Sequence, residues 1–191
     1  MADRAAPRAK QPRRRMLDAA LELAVLGGYD ALQVRAIAQR AGVSSRTIYE
    51  NFPSLDSLLI LAVAEPAEGL YRQFTESPPN GRTAAARVNQ LISQLTDTMT
   101  ANRPLTLALF RALLSGKPDV AQHIAGFRAA LQAVLASAIT SQRPTKRDRD
   151  VAEILQNIWF TALVGWAAGT DSDSYIADIM ARSTRLLLPT R

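Results

Sequence analysis

Residues 34–52, VRAIAQRAGVSSRTIYENF, decide the fold. Val34, Ile37, Ala38 and Ala41 fall at i, i+3, i+4 and i+7, which predicts a short helix with a narrow apolar stripe on one side. Gly42 follows, and a residue without a Cβ takes at low cost the positive φ that a sharp interhelical turn requires. Val43 is expected to pack beneath that corner, Ser44 to cap the next helix, and Ile48 and Phe52, four apart, to form its buried side. Ser45, Arg46, Thr47 and Tyr49 then point outward. With Ser44 they stand near the N-terminus of a helix that fits a major groove, and they have the reach for phosphates and base edges. An ordinary αα-hairpin uses the same small residues and glycine turn, so the flanks must weigh the two readings.

The formal net charge is +6, and the first 15 residues carry nearly all of it: Arg4, Arg8, Lys10, Arg13, Arg14 and Arg15 stand against Asp3 alone. Ala2, Ala5, Ala6, Pro7 and Pro12 offer no apolar face to bury. Residues 1–12 are therefore expected to form a disordered basic arm that orders on a polyanion. Acids outnumber arginines within residues 16–56, so the arm and the adjoining Arg13, Arg14 and Arg15 have to supply much of the attraction to DNA phosphates. From Leu17, Ala20, Leu21, Ala24 and Val25 a support helix is expected, ending at Gly27 and Gly28. Tyr29 and Leu32 close the following loop over the core. Residues 13–54 thus read as a three-helix helix-turn-helix domain, too small to be comfortably stable unless it packs on the rest of the chain.

The run GGYDALQVRAIAQRAGVSSRTIYENFPS, residues 27–54, resembles the N-terminal DNA-binding segment of the TetR family of bacterial transcriptional regulators. The resemblance implies that Arg35 on the first hairpin helix, and Ser45, Arg46, Thr47 and Tyr49 on the recognition helix, meet DNA. One position departs: where the family usually carries a lysine at the start of its fourth helix, this chain has Leu55, leaving the helix N–H groups to face a phosphate there. Residues 150–188, DVAEILQNIWFTALVGWAAGTDSDSYIADIMARSTRLLL, resemble the KstR-type repressors of sterol catabolism within that family, which implies a large hydrophobic effector. Repression relieved by ligand is the family's usual mode.

No strand-like alternation runs longer than a few residues, so the expected fold is all-α, about nine helices, with residues 55–191 forming a larger effector-binding and dimerisation domain. Pro66 predicts a kink or break near residues 62–66 of the connecting helix. Ser77-Pro78-Pro79-Asn80-Gly81 is the clearest linker. Amphipathic helices are expected around Val88–Met99, Leu105–Leu113 and Ile124–Ile139, then two long ones over about 147–168 and 173–188. The first of these last two is apolar on too wide an arc for one contact. It is expected to bury one side in its own subunit and the other against a twofold mate, with Ile154, Ile158, Ala162, Trp166, Ile176, Ile179 and Met180 at a four-helix homodimer interface. A candidate pocket for a small hydrophobic effector is lined by Met99, Leu109, Phe110, Leu113, Phe127, Trp159 and Leu163, residues that plain core packing also uses.

The chain has no cysteine, and its one histidine, His123, has no spaced partner for a metal. No phosphate-binding glycine loop or nucleophile elbow is present. No cofactor and no enzymatic activity are therefore expected. Without a signal peptide or membrane span, a cytoplasmic protein with no membrane partner is expected. The functional reading is a ligand-responsive repressor that binds double-stranded DNA at an inverted repeat as a dimer. The competing reading is an architectural DNA-binding protein without an effector, against which the apolar excess of residues 88–188 argues.

Overall fold

The computed structural model describes residues 11–76, 79–140 and 142–189, and among them every regular element is helical. The order is α1 (Pro12–Gly27), a 3₁₀ turn (Tyr29–Ala31), α2 (Val34–Ala41), α3 (Ser45–Asn51), α4 (Leu55–Glu76), α5 (Ala84–Thr100), α6 (Arg103–Leu113), α7 (Pro118–Ile139), α8 (Lys146–Ala168) and α9 (Asp173–Leu187). The expected basic arm lies outside the described residues up to residue 10. Helix α1 already begins at Pro12, whose fixed φ suits the first helical position, so Arg13, Arg14 and Arg15 form its first turn.

Two apolar cores organise the chain. The first gathers Met16, Leu17, Ala20 and Ala24 of α1 with Ile37, Ala38, Ala41, Ile48 and Phe52 of the hairpin, and closes on Leu58, Leu59 and Ala62 of α4. It does not stop at residue 54: Ala108, Leu109 and Ala112 of α6 and Val120 of α7 belong to it. The hairpin unit thus gains from the body the burial that its own length denies it. The second core joins Tyr71 and Phe74 of α4 to Val88, Leu91 and Leu95 of α5, Leu131 and Leu135 of α7, Leu155, Trp159 and Leu163 of α8, and Ile176 and Met180 of α9.

Of the kink or break expected at Pro66, the break does not occur: α4 runs continuously through it. Proline removes one ladder hydrogen bond, but α4 packs against α1, α6 and α7, and Pro66 itself is exposed. Packing overrides the local preference. The linker turn is fastened by Arg87, which donates to the carbonyls of Ala138 (2.8 Å), Ile139 (3.0 Å) and Gly81 (3.1 Å), so one guanidinium satisfies the open end of α7 and holds residue 81 against it. At the start of α8, Thr145 and Asp148 form a reciprocal capping box, and these hydrogen bonds from Thr145 lower the Asp148 pKa below the ordinary value. Helix α8 is long and apolar enough by composition to cross a membrane, contrary to the expectation that no segment is; here it packs against α7 and α9.

Candidate functional site

The hairpin adopts the local geometry that its sequence requires. Gly42 ends α2 at φ +66°, in the left-handed region, and the Val43 N–H reaches back to the Ala38 carbonyl at 3.0 Å. The Ser44 hydroxyl accepts the Thr47 N–H at 3.1 Å and contacts the Thr47 hydroxyl at 2.9 Å, so Ser44 acts first as a cap. Ile48 and Phe52 face the core. On the opposite side Arg46 and Tyr49 stand exposed, with Ser45 and Thr47 partly exposed between them and Arg35 exposed on α2. Arg46 leans on Glu50 one turn along at 2.7 Å, a solvent-screened pair that a phosphate can displace at little cost.

The three arginines expected to meet phosphates are occupied within the chain. Arg13 and Arg14 both pair with Glu65 of α4, Arg14 also with Asp18, and Arg13 lies over the Phe52 ring. Arg15 donates to the Ala41 carbonyl at 2.9 Å and thereby ties α1 to the end of α2. Arg13 and Arg14 remain half-exposed at the surface; Arg15 is a strut.

A polar joint fastens this head to the body, and the sequence reading missed it. Asp56 in the first turn of α4 is 2% exposed. It accepts the Tyr29 hydroxyl and pairs with Lys117 at 2.6 Å. Burial, then the hydrogen bond to Asp56, pushes the Tyr29 pKa up to about 12, and the same carboxylate raises that of Lys117. Beside it the Ser54 hydroxyl donates to Asp119 at 2.7 Å, while the Arg111 guanidinium sits 4.0 Å over the Tyr29 ring and bonds Asp30 at 2.9 Å. The head contributes Tyr29, Asp30, Ser54 and Asp56; the body contributes Arg111, Lys117 and Asp119.

Within the body a cavity of about 240 Å³ opens between α6, α7 and α8, walled by Leu113 and the adjacent Leu114, by Ile124, Phe127 and Leu131, and by Trp159 and Phe160. Of the seven expected pocket residues, Leu113, Phe127 and Trp159 line it. The others do not: Leu109 belongs to the first core, Leu163 is sealed in the second, Phe110 packs edge-on to Phe160, and Met99 lies partly buried between the cores. Periodicity marked their helix faces as apolar without telling which apolar residues meet a neighbour and which meet space. The cavity aromatics are held in place, since the Trp159 indole donates to Thr96 at 2.9 Å and Phe127 packs on Tyr71.

A second surface runs along α8 and α9, where Ile154, Ile158 and Ile179 border an open groove with Asn157, Thr161 and Tyr175. Ile154 and Tyr175 are exposed. Ala162 also borders the groove, while three other expected interface residues are engaged inside the chain: Ile176 and Met180 are buried, and Trp166 lies beneath Arg103, which bonds the Ala167 carbonyl. Helix α8 is apolar on both sides, and its phase alone does not say which side faces in.

The family model described as bacterial regulatory proteins, tetR family, matches residues 16–62, and the one described as tetracyclin repressor-like, C-terminal domain, matches residues 81–187. The chain is 34% identical over 179 residues to the HTH-type transcriptional repressor KstR of Rhodococcus jostii, covering 94% of this chain and 84% of that protein. Its fold is similar to that of a TetR transcriptional regulator from Rhodococcus sp. RHA1 (TM-score 0.81, 23% identity, 95% of this chain and 99% of that one). It is also similar to Thermus thermophilus FadR, a TetR-family repressor in complex with lauroyl-CoA (TM-score 0.71, 24% identity, 92% of each chain). A hairpin with an exposed reading face, bound through a polar joint to a helical body, is thus matched by family models at both ends, and the chain belongs to the TetR family of bacterial transcriptional regulators, which are DNA-binding proteins and not enzymes.

Proposed function

We propose that this protein is a cytoplasmic repressor that binds an inverted-repeat operator as a homodimer and leaves it when a small hydrophobic effector occupies the cavity between α6, α7 and α8. The α8–α9 groove, bordered by Ile154, Ile158 and Ile179, is the dimer surface, and the twofold axis sets the two copies of α3 on the order of 34 Å apart. Arg35, Ser45, Arg46, Thr47 and Tyr49 read the operator, and Arg13 and Arg14 reach its phosphates once they leave Glu65. The relatives support an effector of lipid, steroid or acyl-CoA character: one is a KstR repressor, and another of similar fold holds lauroyl-CoA.

The observation that carries this reading is the continuity between cavity and head. Leu113 and Leu114 wall the cavity, and in the chain they lie between Arg111 and Lys117, the two cations that grip Tyr29 and Asp56. A ligand that displaces those leucines strains the joint and changes how far apart the two heads stand, which biases a two-state equilibrium only by its differential affinity for the two arrangements.

Fluorescence anisotropy on DNA from upstream of the protein's own gene tests it. Saturable binding abolished by Arg46→Ala with Tyr49→Phe, and reversed by a lipophilic acyl-CoA or steroid, is expected. Binding indifferent to both substitutions overturns the DNA-reading assignment, and binding that no such compound alters overturns the effector assignment.

A further inference from the structure

An acid stands at the centre of the outward face of α3. Ile48 and Phe52 are the buried side of this helix, and Glu50, exposed, lies two residues from each, about 200° round the axis. The Ser44 and Thr47 hydroxyls and the Asn51 amide are engaged on the hairpin itself, Asn51 donating to the Thr47 carbonyl at 2.8 Å. Arg46 and Glu50 are joined by a single bond, from Nε to Oε1 at 2.7 Å, and among the described residues neither side chain makes another polar contact. The guanidinium therefore keeps its two terminal nitrogens, and the carboxylate its second oxygen, for groups outside the chain.

Stability does not account for an acid in this place. An exposed ion pair one turn apart contributes little, and a carboxylate laid against DNA is repelled by the phosphates. Elsewhere in the head Glu22, Asp30 and Asp56 each tie their element to another, through Arg40, Arg111 and Lys117. Glu50 ties nothing, since its partner is on its own helix. In a major groove a carboxylate can only accept, and the base that presents a donor there without an acceptor is cytosine, at N4. The terminal nitrogens of Arg46 suit guanine O6 and N7. The joined pair thus offers two donors and one acceptor, the complement in kind of the edge of a G·C pair.

We propose that Glu50 is a base-reading residue that selects one cytosine in each half-site, within one base-pair step of a guanine read by Arg46. This rests on the reading of α3 as the recognition helix.

The test is selection of binding sites from a random DNA pool by the full chain, followed by anisotropy on the selected duplex and its single-base variants. Replacing the cytosine is expected to weaken binding about tenfold. Glu50→Ala is expected to accept all four bases there nearly equally, and Glu50→Gln to exchange the cytosine for adenine, whose N6 and N7 suit an amide. Both variants should bind random DNA more tightly, having lost a negative charge. Weaker binding of selected and random DNA alike by Glu50→Ala makes the residue a support for its neighbours and overturns the proposal. A base preference unchanged in both Glu50 variants but altered by Arg46→Ala also overturns it, and leaves α3 as the reader. A selected sequence that Arg46→Ala, Tyr49→Phe and both Glu50 variants all leave unchanged overturns the assignment of α3 itself, and this proposal with it.

Discussion

The two cores differ in what fills them. The first sets Ala19, Ala20, Ala24, Ala38 and Ala41 among aliphatic residues such as Met16, Leu17, Ile37 and Leu58, with Phe52 as its buried aromatic ring. The second carries more large rings, among them Tyr71, Phe74, Phe110 and Trp159, and a space of about 240 Å³ opens beside Phe127, Trp159 and Phe160. A reading head has to hold a few side chains in fixed register, and small-residue packing does that. The body leaves room beside Phe127, Trp159 and Phe160.

The contrast breaks most visibly under truncation. Ile37→Ala in the first core is expected to cost about 2–5 kcal/mol in urea denaturation, whereas Phe127→Ala, at a wall that already borders space, costs clearly less. Equal losses would erase the distinction. The reverse substitution sharpens it: Ala38→Leu is expected to destabilise by about 1–3 kcal/mol, while Leu113→Phe is tolerated in stability and instead blocks ligand titration.

The joint between the regions comes next. Asp56→Asn is expected to lower stability by about 1–2 kcal/mol, discounted because Lys117 is half-exposed, and to weaken the effector's influence on DNA binding more than DNA binding itself. Unchanged coupling in that variant would show that the head is held by the apolar contacts alone. Ser44→Ala, confined to the head, costs about 1 kcal/mol through the lost cap of α3 and is checked by the same denaturation series. The smallest effect is the pH dependence. Tyr29 and Lys117 both have raised folded-state values, so their contribution is complete below the ordinary values and is lost as pH rises, for Tyr29 toward about 12. Tm measured from pH 8 to 12 should fall more steeply for the natural protein than for Asp56→Asn.

The head was legible because its instructions are local. Gly42, Ser44 and the Val34–Ala41 stripe each act within one or two turns, and the hairpin boundaries follow from them. The two terminal helices were legible for the same reason, their ends being set by Thr145, Gly169 and Ser172. What escaped depends on partners distant in sequence. The partners of Asp56, Tyr29 and Lys117, lie far from it in the chain, and Pro66 read as a kink or break although α4 continues through it.

Glu65 gives the arginine pair of α1 a further meaning. Its carboxylate holds Arg13 and Arg14 against α4. When those arginines turn to phosphates, the freed carboxylate takes up cations that offset part of the counterion release from the DNA. The dependence of affinity on ionic strength should therefore be shallower than the number of basic side chains at the head suggests, and Glu65→Gln should steepen it.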